Sequence, residues 1–248
     1  RMAEKIGAAT EGLDVLEMNG PAAFPLSSAL SPVVKHPKTV WVNKKGMRFT
    51  DEALPLFPES ANRLYHQPGR ISYTIFDENI KKSIFKENPS DAPLVKKVRA
   101  NKAEKELYAQ VEKGRVKIAD SWDEIAEWIG MNPRALKTEI GEYNTFCENE
   151  HDKIFVKNPN FLFPLNTPPY YAIQAGLYLL ATHGGIKINH RMEVLDYQDE
   201  PIPGLYAAGV ETGGVDSNSY NAQLAGHSFG FSVSSGRIAG ENVANIIL

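Results

Sequence analysis

Side chains that could bind a ligand or transfer a proton are concentrated near the carboxyl end of the chain, in Pro203–Gly240. Glu211 supplies a carboxylate, Tyr220 a phenol and His227 an imidazole. A carboxylate accepts hydrogen bonds from hydroxyl groups, and a phenol or an imidazole can give or take a proton. No two glycines of the chain stand at positions i and i+2, so the dinucleotide-binding fingerprint G-x-G-x-x-G is absent. The stretch therefore has ligand-binding chemistry without the usual signature of a complete dinucleotide site.

Two predicted elements position these residues. The apolar run Leu205–Ala208 predicts a buried parallel strand that delivers a loop at its carboxyl end, where ligands bind in α/β sheets. A helical pattern then runs from about Ala222 to Ile247. It contains Gly226, Gly230 and Gly236, each of which costs ~1 kcal/mol relative to alanine. Such a helix needs close backbone approach to a partner, which is either a packed sheet or a ligand at the helix N-terminus.

The middle of the chain has the pattern of a helical domain without catalytic motifs. A capping box at Ser121 starts one helix, and a second is predicted over Asn132–Glu148. A third lies within Asp91–Val111, whereas the proline-rich segment Lys157–Pro169 predicts a loop. Cys147 has no basic partner nearby in the sequence, so it is interpreted as a buried structural thiol and not as a nucleophile.

Composition excludes several classes of function. Charged residues make up 23% of the chain and the formal net charge is −3, which is typical of a soluble globular protein and indicates no nucleic-acid partner. No apolar run approaches the ~18 residues that a membrane-spanning helix requires. A single cysteine excludes an internal disulfide and fits a reducing compartment, so we expect a cytoplasmic protein, and we expect no metal site.

Motifs along nearly the whole chain resemble, in order, the fumarate reductase/succinate dehydrogenase flavoprotein superfamily, which also includes ketosteroid dehydrogenases. They are TVWVNKKGMRFTDE (Thr39–Glu52), QPGRISYTIFDE (Gln67–Glu78), TPPYYAI (Thr167–Ile173), THGGIKIN (Thr182–Asn189), and PGLYAAG-x-E-TGG, A-G-H-S-x-G-F and SGRIAGENVA within Pro203–Ala244. Each motif alone is weak, but the combination is specific.

This resemblance implies a fold. It predicts an α+β capping domain of the succinate dehydrogenase/fumarate reductase flavoprotein type, plus the C-terminal portion of an α/β FAD-binding domain. Residues 1–13 would be a helical segment of the FAD domain, residues 14–181 the capping domain, and residues 182–248 the C-terminal part of the FAD-binding domain. Family members begin with the G-x-G-x-x-G unit, so the chain is interpreted as a fragment. We expect it to hold FAD weakly or not at all, because the helix end that cradles the pyrophosphate is missing.

The resemblance also assigns residues to the flavin. The segment after the cap places backbone amides near the flavin N5/O4 edge, Glu211 is similar to an acceptor for ribityl hydroxyls, and the helix start meets the pyrimidine edge. The implied cofactor-binding set is Thr182, His183, Gly184, Gly185, Glu211, Thr212, Gly226, His227, Ser228 and Phe229. His183 stands where the family often has methionine. It is either a hydrogen-bonding or proton-relay residue at the flavin edge, or a polar loop residue.

The residues with which fumarate reductases hold a dicarboxylate are missing from the aligned positions. The two substrate histidines fall at Gly20 and Leu180, the gripping arginine at Gln223, and the proton-donating arginine near 54–57, where Arg63 is the one nearby substitute. Carboxylates need charge-assisted donors, so fumarate and succinate are not the expected substrates. The residues that take their place are mainly apolar and phenolic, and suit a larger, less charged small molecule: Tyr178, Leu179, Leu180, Tyr220 and Gln223.

We therefore expect the parent protein to be an FAD-dependent oxidoreductase. Hydride would pass between flavin N5 and a carbon of a CH–CH or C=C bond, with proton transfer at the neighbouring carbon. The candidate catalytic residues are Tyr220, His183 and Gln223, and for Tyr220 packing against the cap is the alternative role. The electron donor or acceptor is not identified by the sequence. The alternative function is an isolated cap that acts as a binding module without catalytic activity.

Overall fold

The computed structural model describes residues 2–25, 28–53, 57–86, 99–216, 220, 224 and 226–247. The chain divides into two compact units. We call residues 19–178 the sheet unit, and residues 1–18 together with 179–248 the terminal unit. Gln223 and residues 54–56, which carry sequence predictions, lie outside the described residues.

Nine strands and seven helices are described. The strands are β1 Thr10–Glu11, β2 Leu16–Ala23, β3 Val40–Val42, β4 Ile71–Asp77, β5 Val116–Ala119, β6 Tyr170–Thr182, β7 Gly185–Ile186, β8 Glu193–Leu195 and β9 Pro201–Tyr206. The helices are α1 Ser31–Val34, α2 Phe57–Tyr65, α3 Glu78–Lys86, α4 Ala100–Glu112, α5 Trp122–Ile129, α6 Pro133–Glu148 and α7 His227–Ile247. Short 3-10 turns lie at Glu4–Ile6, Pro68–Arg70, Pro159–Phe161 and Gly209–Glu211.

A five-stranded sheet forms the framework of the sheet unit. Its strand order is β2–β6–β4–β3, and β5 also pairs with β6. Strands β4 and β6 are antiparallel from Ile71 opposite Gly176 to Asp77 opposite Tyr170. Helices α4 and α5 contact β5, α3 contacts β4, and α5 packs on α6. The long strand β6 is therefore the element to which most of the sheet is attached.

The core of this unit consists of aromatic and aliphatic side chains on both faces of β4 and β6. The rings of Phe76 and Tyr171 are stacked with centroids 5.0 Å apart, and those of Trp122 and Tyr170 are 4.2 Å apart. Ile125 and Leu136 bring the helices onto this layer and are fully buried. Burial of such side chains stabilises the fold by about 1.5–3 kcal/mol each.

Four of the buried charged side chains in this unit form ion pairs with one another, and we call them the buried ion network: Arg48, Glu52, Asp152 and Lys157. Arg48 Nη2 lies 2.9 Å from both Glu52 Oε2 and Asp152 Oδ2. Lys157 Nζ lies 3.1 Å from Glu52 Oε2 and donates to the Thr39 carbonyl at 3.0 Å. The network thus balances two cations with two anions, which is the condition under which charges are tolerated in a protein interior.

Electrostatics sets the protonation states of this network. Burial alone would raise the pKa of Glu52, but the charges of Lys157 and Arg48 and a hydrogen bond from Arg48 hold it below its ordinary value. Burial likewise opposes ionisation of Asp152, and hydrogen bonds from Arg48 and the backbone keep the pKa of that carboxyl lowered. Burial raises the pKa of the neighbouring Cys147 thiol to about 11, which agrees with an unreactive structural cysteine.

The helices predicted from local signals are confirmed. The Ser121 hydroxyl accepts from the Glu124 backbone N–H at the start of α5, and Asn132 Oδ1 accepts from Arg134 N at the start of α6. The third predicted helix corresponds to α4. Residues 91–98 of the predicted range lie outside the described part of the chain. The segment Lys157–Pro169 is a loop with one 3-10 turn.

Two predictions for the terminal unit are wrong. The predicted helical segment at residues 1–13 is not formed in its described part, residues 2–13, which contains the 3-10 turn Glu4–Ile6 and strand β1. Gly7 and Gly12 adopt left-handed φ angles of 96° and 63° that interrupt a helix. In place of the predicted buried parallel strand at Leu205–Ala208, Leu205 and Tyr206 end the half-exposed strand β9, which pairs antiparallel with β8, and Ala207 and Ala208 lie beyond the strand. The connection between β8 and β9 is too short for a parallel crossover and allows only a hairpin.

The predicted C-terminal helix begins later than expected. Gly226 has φ 80°, a left-handed value, so α7 starts at His227 and Gly226 precedes it. Gly230 and Gly236 lie inside the helix as predicted. Within the described residues, no helix combines the length and apolar character needed to cross a bilayer.

Removal of one charge from the buried ion network should destabilise the fold strongly. We expect Glu52→Gln to lower the free energy of unfolding by about 3–5 kcal/mol, because Arg48 and Lys157 lose their shared carboxylate. The exposed pair Lys137–Asp123, 2.8 Å apart, provides the matched control, and Asp123→Asn should cost less than about 1 kcal/mol. Urea unfolding of the three proteins measures both values, and equal losses would contradict the role of the network.

The same network predicts acid sensitivity. Glu52 and Asp152 have folded pKa values below their ordinary values of 4.5 and 3.8, so their contribution to stability is complete above that range. It is lost as the pH falls through the lowered folded values. Unfolding free energies measured between neutral pH and pH values below that range should decline more steeply in the wild type than in Glu52→Gln. Parallel curves would show that Glu52 is not responsible.

Candidate functional site

Three backbone segments lie side by side in the terminal unit, and we call them the glycine seam: residues 10–12, 184–186 and 211–214. Strand β1 pairs antiparallel with β7. On the other side of β7, Ile186 forms a parallel bridge with Thr212, and Gly213 N donates to Ile186 O at 3.0 Å. The seam is therefore a small three-stranded arrangement with β7 in the middle.

The seam needs glycine because its backbones approach too closely for side chains. A Cβ on Gly184 would overlap the carbonyl oxygen of Gly12, and one on Gly185 would overlap that of Glu211. The sequence assigned this glycine pair to the flavin edge. The structure adds a requirement that sequence reasoning missed, since both positions are also constrained by the packing of the unit on itself.

His183 lies between the end of β6 and the seam, with its ring buried at 4% exposure. Its backbone N–H donates to Val15 O at 2.9 Å, which ties the residue to the start of β2. Nε2 of the ring lies 3.2 Å from Glu17 Oε2, and Nδ1 lies 3.6 Å from Asp216 Oδ2. The imidazole therefore has a carboxylate on each side.

Asp216 follows the seam and connects His183 to a second imidazole. Its Oδ2 lies 3.2 Å from His227 Nε2, and the Asp216 side chain is buried. The other ring nitrogen of His227, Nδ1, lies 3.2 Å from the Leu224 carbonyl oxygen. Both ring nitrogens of His227 thus face acceptors at the first residue of α7.

Tyr220 lies over both imidazoles. Its ring centroid is 4.5 Å from that of His183 and 4.8 Å from that of His227. The two histidine rings are 6.4 Å apart and nearly parallel. We call the five residues Glu17, His183, Asp216, Tyr220 and His227 the imidazole cluster. They bring a half-buried phenol together with two imidazoles and two carboxylates, a set of groups suited to proton transfer.

The remaining residues predicted to bind the flavin are close in sequence to members of the imidazole cluster but do not belong to it. Thr182 and Glu211 are exposed, while Thr212 is buried in the seam with its hydroxyl donating to Gly209 O at 2.8 Å. Ser228 and Phe229 lie in the first turn of α7, where Phe229 is 75% exposed. Of the three predicted catalytic residues, His183 and Tyr220 are in contact, and Gln223 lies outside the described residues.

The helix glycines do not pack closely on the part of the chain that the structure describes. Apart from the adjacent residues and the helix's own backbone, no described atom lies within 4 Å of a Cβ built on Gly226, Gly230 or Gly236. Of the two explanations offered by the sequence, packing against a sheet is therefore not realised among these residues. The space beside each of these glycines is open to a further partner.

Sequence reasoning missed Glu17 and Asp216. A buried imidazole needs hydrogen-bonding partners, so His183 before a glycine pair was the available signal that carboxylates must lie near it. In the sheet unit it also missed Lys35, whose Nζ donates to Asn19 Oδ1 at 2.9 Å and lies 5.9 Å from the ring of Tyr178.

Among the described side chains, no group of three or more His, Cys, Asp and Glu could hold a metal ion.

Comparison with known proteins identifies relatives over almost the full chain. The family model described as an FAD binding domain matches residues 2–226. A probable fumarate reductase, Ifc3, of Shewanella frigidimarina is 32% identical over 98% of this chain and 37% of its own length. The vinyl phenol reductase of Lactiplantibacillus plantarum is 27% identical over 88% of this chain and 45% of its own length.

A solved structure agrees with these matches. The 3-ketosteroid Δ1-dehydrogenase of Sterolibacterium denitrificans superposes with a TM-score of 0.71 at 25% identity, covering 98% of this chain and 45% of that one. The chain thus spans less than half the length of each of these proteins.

Alanine substitutions should change the free energy of unfolding in opposite directions at a seam glycine and at a helix glycine. We expect Gly184→Ala to lower the unfolding free energy by more than about 2 kcal/mol, because the seam backbones must separate to admit a methyl group. Gly236→Ala is the matched control, since open space surrounds it within α7, and it should stabilise the chain by about 0.5–1 kcal/mol. Thermal or urea unfolding distinguishes the two, and a neutral Gly184→Ala would contradict the seam.

Proposed function

We propose that this chain, which belongs to the FAD-binding family of the fumarate reductase/succinate dehydrogenase flavoproteins, is part of an FAD-dependent oxidoreductase that acts on CH–CH or C=C bonds. The observation that carries the proposal is the family match from residue 2 to residue 226. Relatives named for the reduction of fumarate and of vinyl phenols support a C=C bond as the reacting group.

In this proposal the sheet unit is the capping domain, and the terminal unit is the C-terminal part of the FAD-binding domain. The boundaries predicted from the sequence place residues 14–181 in the cap. Support comes from the exposed side of α7, where Phe229 and Val233 are 75% and 59% exposed and lie four residues apart on one side of the helix. Apolar side chains in such a position are expected where further polypeptide of the same domain covers them.

The residues of the terminal unit fit a flavin at the start of α7. Gly226 is exposed and left-handed, and the space beside it is open, so a ligand can approach the backbone at the positive end of a 21-residue helix. The residues that would hold the cofactor are Thr182, His183, Gly184, Gly185, Glu211, Thr212, Gly226, His227, Ser228 and Phe229. FAD bound there supplies hydride chemistry at ring atom N5.

The chain's own contribution to the reaction is proton transfer and substrate orientation. When a C=C bond is reduced, one carbon receives the hydride and its neighbour receives a proton. The half-buried phenol of Tyr220 is the group placed to give that proton, since His183 beneath it is almost completely buried. The phenolic O–H bond breaks, its electron pair stays on the oxygen, and a C–H bond forms at the substrate carbon.

The substrate class is inferred from the residues that stand in place of the side chains with which fumarate reductases bind a dicarboxylate. Gly20 and Leu180 stand where cationic or imidazole side chains would hold carboxylates, and Leu179 and Leu180 are more than half exposed. Lys35 beside Tyr178 offers one cation in the sheet unit. We infer a substrate that is larger and less charged than fumarate, an aromatic or alicyclic molecule with a conjugated C=C bond and at most one anionic group.

Steady-state kinetics of the full-length protein that contains this chain tests the function. We expect stoichiometric FAD and, with a chemically reduced viologen as electron donor, turnover of hydroxystyrenes or steroid enones with kcat/KM at least 100-fold above that for fumarate. Tyr220→Phe should lower kcat by about 10²–10⁴-fold, the usual contribution of general acid catalysis. A flavin-loaded protein that reduces none of these compounds would favour the binding module.

The chain alone should differ from the full-length protein in cofactor retention. Because it carries no G-x-G-x-x-G motif, we expect the purified 248-residue chain to retain well under one FAD per chain after gel filtration. Flavin absorbance relative to protein measures the ratio. A stoichiometric yellow complex would contradict the assignment of the terminal unit as a partial FAD domain.

A further inference from the structure

The two carboxylates of the imidazole cluster have no part in the function described so far. Glu17 lies on β2 and Asp216 follows the glycine seam, and the Asp216 side chain is buried. A buried carboxylate is costly unless it receives hydrogen bonds, so its position is fixed by its donors. Each of the two carboxylates lies within 3.2 Å of a histidine ring nitrogen, Glu17 beside His183 and Asp216 beside His227.

Each imidazole is held between two acceptors. Nε2 of His183 lies 3.2 Å from Glu17 Oε2, and Nδ1 lies 3.6 Å from Asp216 Oδ2. His227 is held between the Leu224 carbonyl and Asp216, so it anchors the first turn of α7 and is not available to a substrate.

Tyr220 rests on the surface that these two rings form. Its centroid is less than 5 Å from each imidazole, so a rotation of either ring displaces the phenol. Asp216 is the one residue of the cluster that lies within 3.6 Å of a ring nitrogen of both His183 and His227. Loss of this carboxylate would therefore release both rings together.

We propose that Asp216 and, on the opposite side of His183, Glu17 are positioning residues that act through the two imidazoles to hold Tyr220 for proton transfer. This inference rests on the proposed function. The carboxylates themselves exchange no proton with the substrate. They fix the orientation of His183 and His227, and through them the direction of the phenol. Displacement of a reacting group by about 1 Å can cost roughly 100-fold in rate.

The test compares Asp216→Asn, Asp216→Glu and Tyr220→Phe in the full-length enzyme. We expect Asp216→Asn to lower kcat about 100-fold with KM changed less than about threefold, and Asp216→Glu to restore at least a tenth of the wild-type rate. The double variant Asp216→Asn/Tyr220→Phe should be no slower than Tyr220→Phe alone, because Asp216 acts only through the phenol. Asp199→Asn is the matched control, since Asp199 is exposed and pairs with Lys187.

A readout independent of turnover is the ring N–H resonances of ¹⁵N-histidine-labelled protein. A slowly exchanging resonance that disappears in His183→Ala should persist in Tyr220→Phe and Asp199→Asn and be lost in Asp216→Asn. If the wild type turns over and Asp216→Asn matches it, the inference is wrong and the function stands. If additive losses are seen in the double variant, Asp216 acts elsewhere and the inference is also wrong. A wild type that binds FAD but reduces no substrate overturns the function, and the inference with it.

Discussion

The close approach of three backbones in the glycine seam is the constraint on which the candidate site depends. Gly184 and Gly185 bring β7 against residues 11–12 on one side and 211–212 on the other, with no room for a Cβ. His183 immediately precedes Gly184 in the sequence. Asp216 stands two positions after Gly214, the last residue of the seam. The positions of the imidazole and the carboxylate are therefore consequences of backbone packing, because neither lies on a regular element of its own.

Charged groups are buried in both units, with different consequences. In the sheet unit Arg48, Glu52, Asp152 and Lys157 neutralise one another in a closed set of contacts, and the depressed pKa values of the two carboxyls keep them ionised over the ordinary pH range. Such a set stabilises one arrangement of the chain and offers no proton to a ligand. The imidazole cluster instead includes the half-buried phenol of Tyr220, a group that can donate a proton to a ligand.

Local signals were sufficient to predict helices α4, α5 and α6 of the sheet unit. The capping residues Ser121 and Asn132 specify α5 and α6 through contacts within three residues, which a sequence displays directly. The partners of His183 could not be found in this way. Glu17 is 166 positions away in the sequence and meets the ring because the start of β2 lies beside the end of β6. Similarly, the parallel strand predicted at Leu205–Ala208 fails because its pairing partner was set by the short hairpin to β8.

Helix α7 has open space beside its glycines, and the chain spans less than half the length of the relatives that it matches. A Cβ built on Gly226, Gly230 or Gly236 would meet no described atom within 4 Å beyond the adjacent residues and the helix's own backbone, although a helix loses stability at each internal glycine. A cost of this kind is consistent with a partner that must come close to the helix backbone, and the relatives are more than twice as long as this chain. The imidazole cluster lies at the first turn of that helix, so any group that covered the start of α7 would also cover Tyr220 and exclude water from the proton it carries.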